Sequence, residues 1–118
     1  MKDSPKITSV EVTTFEHEVE NVGSDYNTFN MVYERGSRAT QRGSLLQIKT
    51  DQGITGEYSG IRGPTLEQVR IVANYLIGKD ALGREMIYND LKRALRHFDM
   101  TGVGVVDICL WDIAGKFY

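Results

Sequence analysis

The chain is 118 residues and 13.3 kDa, with 41% hydrophobic and 25% charged residues, which is the composition of a globular domain. That length has room for one hydrophobic core but not for a (β/α)8 barrel, which needs roughly 250 residues. The net charge is −2, with six basic and nine acidic side chains in the first sixty residues and eight and seven in the rest. Neither half carries the positive stripe that neutralises a phosphate backbone, so nucleic acid is not an expected partner.

One cysteine, Cys109, has no second thiol to pair with and lies inside an apolar helical pattern, which suits a reducing compartment. No basic segment followed by an apolar one opens the chain, and no apolar run approaches eighteen residues. A soluble cytoplasmic protein with no membrane partner is expected.

Residues 6–16 are dense in β-branched types and predict a first strand, with Thr8, Val10, Val12 and Thr14 at period two. A polar stretch over roughly 18–43 follows, rich in Asn, Gly, Ser, Thr and Arg, and reads as a long loop; such loops are usually functional or disordered. Residues 44–51 alternate again, with Leu46, Ile48 and Thr50 on one side, and Asp51-Gln52-Gly53 is turn chemistry. A returning strand over 54–59 completes an antiparallel meander. After Pro64 the period changes to 3.6. Thr65 is the expected N-cap of a helix over 65–77, striped by Leu66, Val69, Val72, Ala73 and Leu76 and ended by Gly78. A second helix is expected over 84–97 with Ile87, Leu91, Ala94, Leu95 and Phe98 on one face. A third, over 103–117, aligns Val106, Cys109, Leu110, Ile113, Ala114 and Phe117, and pairs Asp112 with Lys116 at i,i+4. Strands followed by helices make an α+β domain, one unit from residue 1 to 118.

The residues that could carry chemistry are few. Gly102-x-Gly104-x-x-Asp107 lacks the third glycine and the preceding strand of a dinucleotide site, so small residues opening a helix against a neighbouring backbone explain it better. Glu16, Glu18 and Glu20 would share a strand face, but without a second cluster a solvated strand end is the better reading than a cation site. His17 and His97 have no partner at zinc spacing. Arg35, Arg38 and Arg42 punctuate the long loop beside Tyr26 and Tyr33; a guanidinium fork suits a carboxylate or phosphate, while a solvated charged loop explains the same residues. Tyr58, ahead of the glycine-punctuated Ser59–Gly63, either faces a ligand or caps the sheet's apolar side. No nucleophile–base pair and no metal set is visible.

The third helix adds a resemblance. Gly102-Val-Gly-Val-Val-Asp-Ile-Cys-Leu-Trp-Asp-Ile-Ala-Gly-Lys116 resembles the pattern G-x-x-x-A-I-D-x-A-L-W-D-I-x-G-K that ends the N-terminal capping domain of the enolase superfamily, in its mandelate racemase/muconate lactonizing branch. Asp107, Trp111, Asp112 and Lys116 align with it, as do the opening strand, the hairpin Thr50-Asp-Gln-Gly-Ile-Thr-Gly56 and Leu76-Ile-Gly-Lys-Asp80, so the likeness spans residues 6–118. It implies a three-stranded meander and a three-helix bundle that cap a (β/α)7β barrel. It also implies substrate-facing loops over roughly 17–43 and 57–64, which contain Tyr26, Tyr33, Arg35, Arg38, Tyr58 and Arg62. Mg2+ and the catalytic bases are expected in the barrel, with no catalytic or metal residue in this chain, and a small carboxylate is the expected substrate of a racemase, cycloisomerase or acid-sugar dehydratase. Two departures stand out: Gly56-Glu-Tyr-Ser-Gly60 replaces Gly-Trp-Gly-Glu, and Val105-Val106 replaces Ala-Ile.

Tyr118 falls where family members continue toward the first barrel strand, so the resemblance implies a lid without its barrel and inactive alone. The alternative is a free-standing binding or oligomerisation module of the same fold. Since the third helix is apolar on more than one side, with Trp111 and Val103 facing away from its main stripe, a homo-oligomer or another partner contact around Trp111 and Tyr118 is expected.

Overall fold

A computed structural model describes residues 3–118. The element order is β1 (Ile7–Ser24), β2 (Met31–Thr50), β3 (Thr55–Ser59), α1 (Gly63–Leu76), α2 (Arg84–Ala94) and α3 (Thr101–Phe117). The three strands form one sheet in the order β1-β2-β3, the antiparallel meander and helical bundle expected. The chain divides into two compact units, one comprising the chain up to Thr13 together with Ser44–Tyr118, the other Thr14–Gly43.

In the larger unit β2 pairs with β3 from Leu45↔Ser59 to Lys49↔Thr55. Leu46 and Ile48 are fully buried, as their period-two spacing predicts, and Gly53 takes φ 73° in the hairpin turn. Ile7 is held between two loops. Its N–H donates to the Lys79 carbonyl (2.9 Å), its own carbonyl accepts from Gly78 (2.8 Å), and the Asp51 N–H donates to the Lys6 carbonyl (2.9 Å). Gly78 sits at φ 84°, the left-handed position that ends α1. The core joins Ile7, Leu46 and Ile48 to Val69, Val72 and Leu76 of α1, Ile87 and Leu91 of α2, and Val106, Leu110 and Ile113 of α3.

Several helix boundaries differ from expectation. The N-cap of α1 is Arg62, not Thr65, and its side chain makes no capping bond. Pro64 occupies the first turn, where its missing N–H costs nothing. Thr65 is buried, and its hydroxyl lies 2.9 Å from that of Thr101. Helix α2 stops at Ala94, three residues early, and Leu95 closes it with its N–H on the Leu91 carbonyl (2.9 Å). Ala94 and Phe98 are therefore exposed instead of lining the core. Helix α3 starts two residues early at Thr101, and Val103 is fully buried, so it belongs to the core face.

The smaller unit corrects the largest expectation. Residues 18–43 are not a loop: β1 continues to Ser24, β2 begins at Met31, and only Asp25–Asn30 turns between them. Hydrophobic alternation missed this because a two-stranded ribbon with both faces in solvent needs no apolar side. Cross-strand pairs hold it instead, namely Arg38 with Glu18 (3.3 Å) and Glu20 (3.4 Å), and Arg42 with Glu16 (2.8 Å). Phe15 lies over Gly43, where an added Cβ would meet the ring at 2.4 Å. Asn21 (φ 60°) and Gly36 (φ 84°) form a left-handed pair joined by the Gly36 N–H on Asn21 Oδ1 (3.0 Å), which lets the ribbon bend. No helix among the described residues is long and apolar enough to cross a membrane.

Candidate functional site

Three places hold the residues singled out from sequence. The first is the ribbon tip. Asp25 organises the turn: its N–H donates to the Asn30 carbonyl (2.9 Å), and its carboxylate accepts the Asn30 amide (2.9 Å) and the Phe29 N–H (3.1 Å). The Asn30 amide, ahead of the backbone donors, holds the Asp25 carboxyl below its ordinary range. On this frame Tyr26 is 98% exposed, and Phe29, Tyr33 and Met31 also face solvent. Such a group of aromatics on an ordered turn is unusual for a surface that contacts only water. Arg38 lies back along the ribbon in its glutamate pairs, whereas Arg35 forms no ion pair among the described residues. Glu16, Glu18 and Glu20 share a face, as expected, and that face is occupied by Arg38 and Arg42. The described residues contain no group of three His, Cys, Asp or Glu arranged to hold a metal ion.

The second place is the connection from β3 to α1. Tyr58 is half-buried and packs against the core cluster at the end of β3. Gly60 takes φ 90°, and its N–H donates to the Ser44 carbonyl (3.2 Å), turning the chain sharply. Beyond it Ile61 is buried and Arg62 exposed at the start of α1.

The third place is α3, which carries the motif residues. Asp112 Oδ2 accepts the Glu57 N–H (3.0 Å) and the Lys116 ammonium (2.9 Å), while Lys116 also donates to the Thr55 carbonyl (2.7 Å). The pair ties α3 to two backbone groups of β3. Lys116, ahead of the Glu57 N–H, holds the Asp112 carboxyl below its ordinary range. The helix can lie so close because Gly56 has no side chain: a Cβ there would sit 2.1 Å from the Cys109 carbonyl oxygen. Asp107 and Trp111 instead line a groove of about 540 Å³ with Arg84, Glu85, Tyr88 and Asn89, and the Arg84 guanidinium stacks 3.9 Å from the Trp111 ring centre.

Sequence reasoning missed a polar network at the start of α3. Gln68 is buried, donates to Asp99 (2.7 Å) and accepts the Gly102 N–H (2.8 Å); Asp99 also accepts the Thr101 N–H (3.1 Å) and hydroxyl (2.6 Å). Gly102 thus admits the Gln68 side chain, whose atoms stand 2.5 Å from where a Cβ would be, and not a neighbouring backbone. Asp99-x-Thr101 ahead of an apolar run is a capping signal that could have revealed it. The Arg84–Trp111 stack spans distant positions and has no local signature.

Comparison with known proteins follows the same lines. Residues 16–118 match the sequence profile of the mandelate racemase/muconate lactonizing enzyme N-terminal domain. D-galactarolactone cycloisomerase of Agrobacterium fabrum (strain C58 / ATCC 33970) is 31% identical over 120 aligned positions, covering 96% of this chain and 30% of its own length. Among solved structures, D-glucarate dehydratase from Agrobacterium tumefaciens, complexed with magnesium, is similar at TM-score 0.69 and 25% identity over 92% of this chain and 29% of its own. The 3,6-anhydro-D-galactonate cycloisomerase from Zobellia galactanivorans shares the fold at TM-score 0.70 and 20% identity, over 95% of this chain and 29% of its own.

Proposed function

The chain belongs to the mandelate racemase/muconate lactonizing enzyme family as its N-terminal domain, and from that premise we propose that it serves as the lid of an enolase-superfamily enzyme. The lid closes over a (β/α)7β barrel, on the same or a separate chain, that takes a proton from the carbon beside a substrate carboxylate and so racemises, cycloisomerises or dehydrates an acid sugar or related small carboxylate. The observation that carries this reading is the cycloisomerase likeness, which runs through nearly the whole of this chain but under a third of the relative.

Mg2+ is the family's expected cofactor, and when bound it would stabilise the enediolate formed by proton loss. The described residues do not fit it: they hold no metal-ligating cluster, and the one acidic row is paired with arginines. The metal is accordingly assigned to the barrel. What this chain contributes is recognition and exclusion of water. Tyr26, Phe29 and Tyr33 supply rigid apolar bodies at the ribbon tip, and the exposed Arg35 offers a fork that suits a second carboxylate or hydroxyl group on the distal part of the substrate. Arg38, once freed from its glutamates, Tyr58 at the end of β3 and Arg62 at the head of α1 are the further candidates.

The test is α-proton exchange in D2O, followed by proton NMR, with D-galactarolactone and a panel of aldarates and Mg2+. Residues 1–118 joined to a barrel are expected to catalyse exchange, and residues 1–118 alone are not. In the joined protein Tyr33→Ala, Arg35→Ala and Arg62→Ala are expected to raise KM more than they lower kcat. Exchange by the isolated chain overturns the lid reading. Tip substitutions without effect on an active joined protein overturn the ribbon tip as the substrate contact, and a joined protein without exchange favours a free-standing binding module.

A further inference from the structure

The turn at the ribbon tip holds a conformation that its own backbone disfavours. Thr28 stands at φ 64°, in the left-handed region, where a β-branched side chain is strained. Such a conformation persists only where its surroundings impose it. Apolar packing does not impose it here, because no residue from Thr14 to Gly43 is buried. Hydrogen bonds do, and they converge on Asp25.

The Asp25 carbonyl accepts the Thr28 N–H (3.1 Å), and its own N–H donates to the Asn30 carbonyl (2.9 Å). Its Oδ1 accepts the Phe29 N–H (3.1 Å) and its Oδ2 the Asn30 amide (2.9 Å). Asn27 only assists, its amide oxygen standing 3.3 Å from the Phe29 nitrogen. The carboxylate is therefore the one side chain that spans the turn from its first residue to its last. The segment it closes carries Tyr26 and Phe29, both almost fully exposed. On an open turn those rings would sample many directions. A ligand that needs one of them binds in proportion to the fraction of molecules that hold it, so the apparent dissociation constant is the intrinsic one divided by that fraction.

We propose that Asp25 is the positioning residue of the ribbon tip: its carboxylate, bridging the Phe29 N–H and the Asn30 amide, holds Tyr26 and Phe29 in the arrangement that meets the substrate. This rests on the reading of the tip as a substrate contact and goes beyond it, since it assigns affinity to a residue that acts through its neighbours. A hydrogen bond to a charged group is worth roughly tenfold or more in such an equilibrium. Loss of the carboxylate should thus act on KM and spare kcat.

The test is a swap. In Asp25→Asn combined with Asn30→Asp, donor and acceptor exchange places: the amide brought to position 25 gives its N–H to the carboxylate at position 30 and keeps its oxygen for the Phe29 N–H. Nitrogen-15 relaxation on residues 1–118 is expected to give order parameters near ~0.85 for the Phe29 and Asn30 amides, below about 0.6 in Asp25→Ala, and recovered in the swap. In the barrel-joined enzyme, assayed by α-proton exchange with D-galactarolactone and the aldarates, Asp25→Ala is expected to raise KM roughly fivefold or more with kcat within about twofold, and the swap to restore KM. Thr28→Pro, whose ring forbids φ 64°, opens the same turn by a separate route and is expected to raise KM likewise. Order that survives Asp25→Ala overturns the proposal, and so does a swap that restores order without restoring KM. If Tyr26→Ala and Phe29→Ala raise KM and Asp25→Ala does not, the tip still contacts substrate and only the positioning role falls. If none of the three moves KM, the tip reading itself falls and the positioning role with it.

Discussion

The carboxylate of Asp112 accepts the backbone N–H of Glu57 at 3.0 Å, so a side chain on the last helix completes the hydrogen bonding of a three-stranded sheet at its edge. The N–H of an edge strand is otherwise left to water or to another chain. With Lys116 on the Thr55 carbonyl, the helix acts as a partial fourth strand, donating and accepting on alternate sides of Gly56. Removing the carboxylate in Asp112→Ala frees both the Glu57 N–H and the Lys116 ammonium, and is expected to cost about 1–2 kcal/mol in urea denaturation. The charge-neutral Asp112→Asn is expected to cost less, because its amide oxygen still accepts.

Gly56→Ala is expected to be the most damaging single methyl in the domain. Its Cβ would fall 2.1 Å from the Cys109 carbonyl, which is backbone and cannot swing away, so α3 must shift off the sheet. A loss of about 3 kcal/mol or more is expected, against an unchanged or slightly raised stability for Gly104→Ala on the same helix, where helix propensity gains up to ~1 kcal/mol. Thermal melts of the two variants side by side check this.

Acid should loosen the start and the fastening of α3 together. The Asp99 carboxyl is held below its ordinary range by the Thr101 hydroxyl and then by Gln68, and that of Asp112 by Lys116. Because both values are lower in the folded chain than in the unfolded one, their contribution is complete above the unfolded carboxylate range of roughly 4 and is lost as pH falls through the depressed folded values. Urea midpoints measured between about pH 5 and pH 2.5 should fall toward acid, and the fall should be shallower in Asp99→Asn and Asp112→Asn.

Cys109 is buried, and burial pushes its thiol up to about 12, with Asp112 and Glu57 adding in the same direction. It is expected to resist a thiol-specific disulfide reagent at pH 8 in the folded chain and to react at once in denaturant. Labelling rates that track urea concentration would confirm that access requires opening of α3.

The ribbon is expected to separate stability from function. Its ion pairs are exposed, so Arg38→Ala and Arg42→Ala should each change stability by less than ~1 kcal/mol. In the barrel-joined enzyme, Arg35→Ala is expected to raise KM without moving the melting temperature. A change in melting temperature as large as that of Asp112→Ala would mark Arg35 as structural.

How much of this was readable in advance depends on what each element rests on. Leu46 and Ile48, Val69 and Val72, and Leu110 and Ile113 declare strand and helix by period, because burial selects apolar residues at the spacing of the backbone that presents them. The turn glycines Gly53 and Gly78 were equally legible, since their left-handed φ is a local property. The ribbon of residues 18–43 was not, because cross-strand pairs such as Arg42 with Glu16 obey register and not hydropathy. Thr65 looked like a cap by composition and instead lies against Thr101, thirty-six positions away.

Sequence by itself therefore determined the α+β class and the family motif, both of which follow from periodicity and short spacings within one element, whereas Val103, read as facing away from the main stripe of α3, is in the core. Only the tertiary structure decided what Asp112, Lys116 and Gly56 are for, where Gln68 points, and that Arg84 covers Trp111. Each of those depends on two segments far apart in the chain meeting within a few ångströms, and no pattern local to either segment encodes that distance.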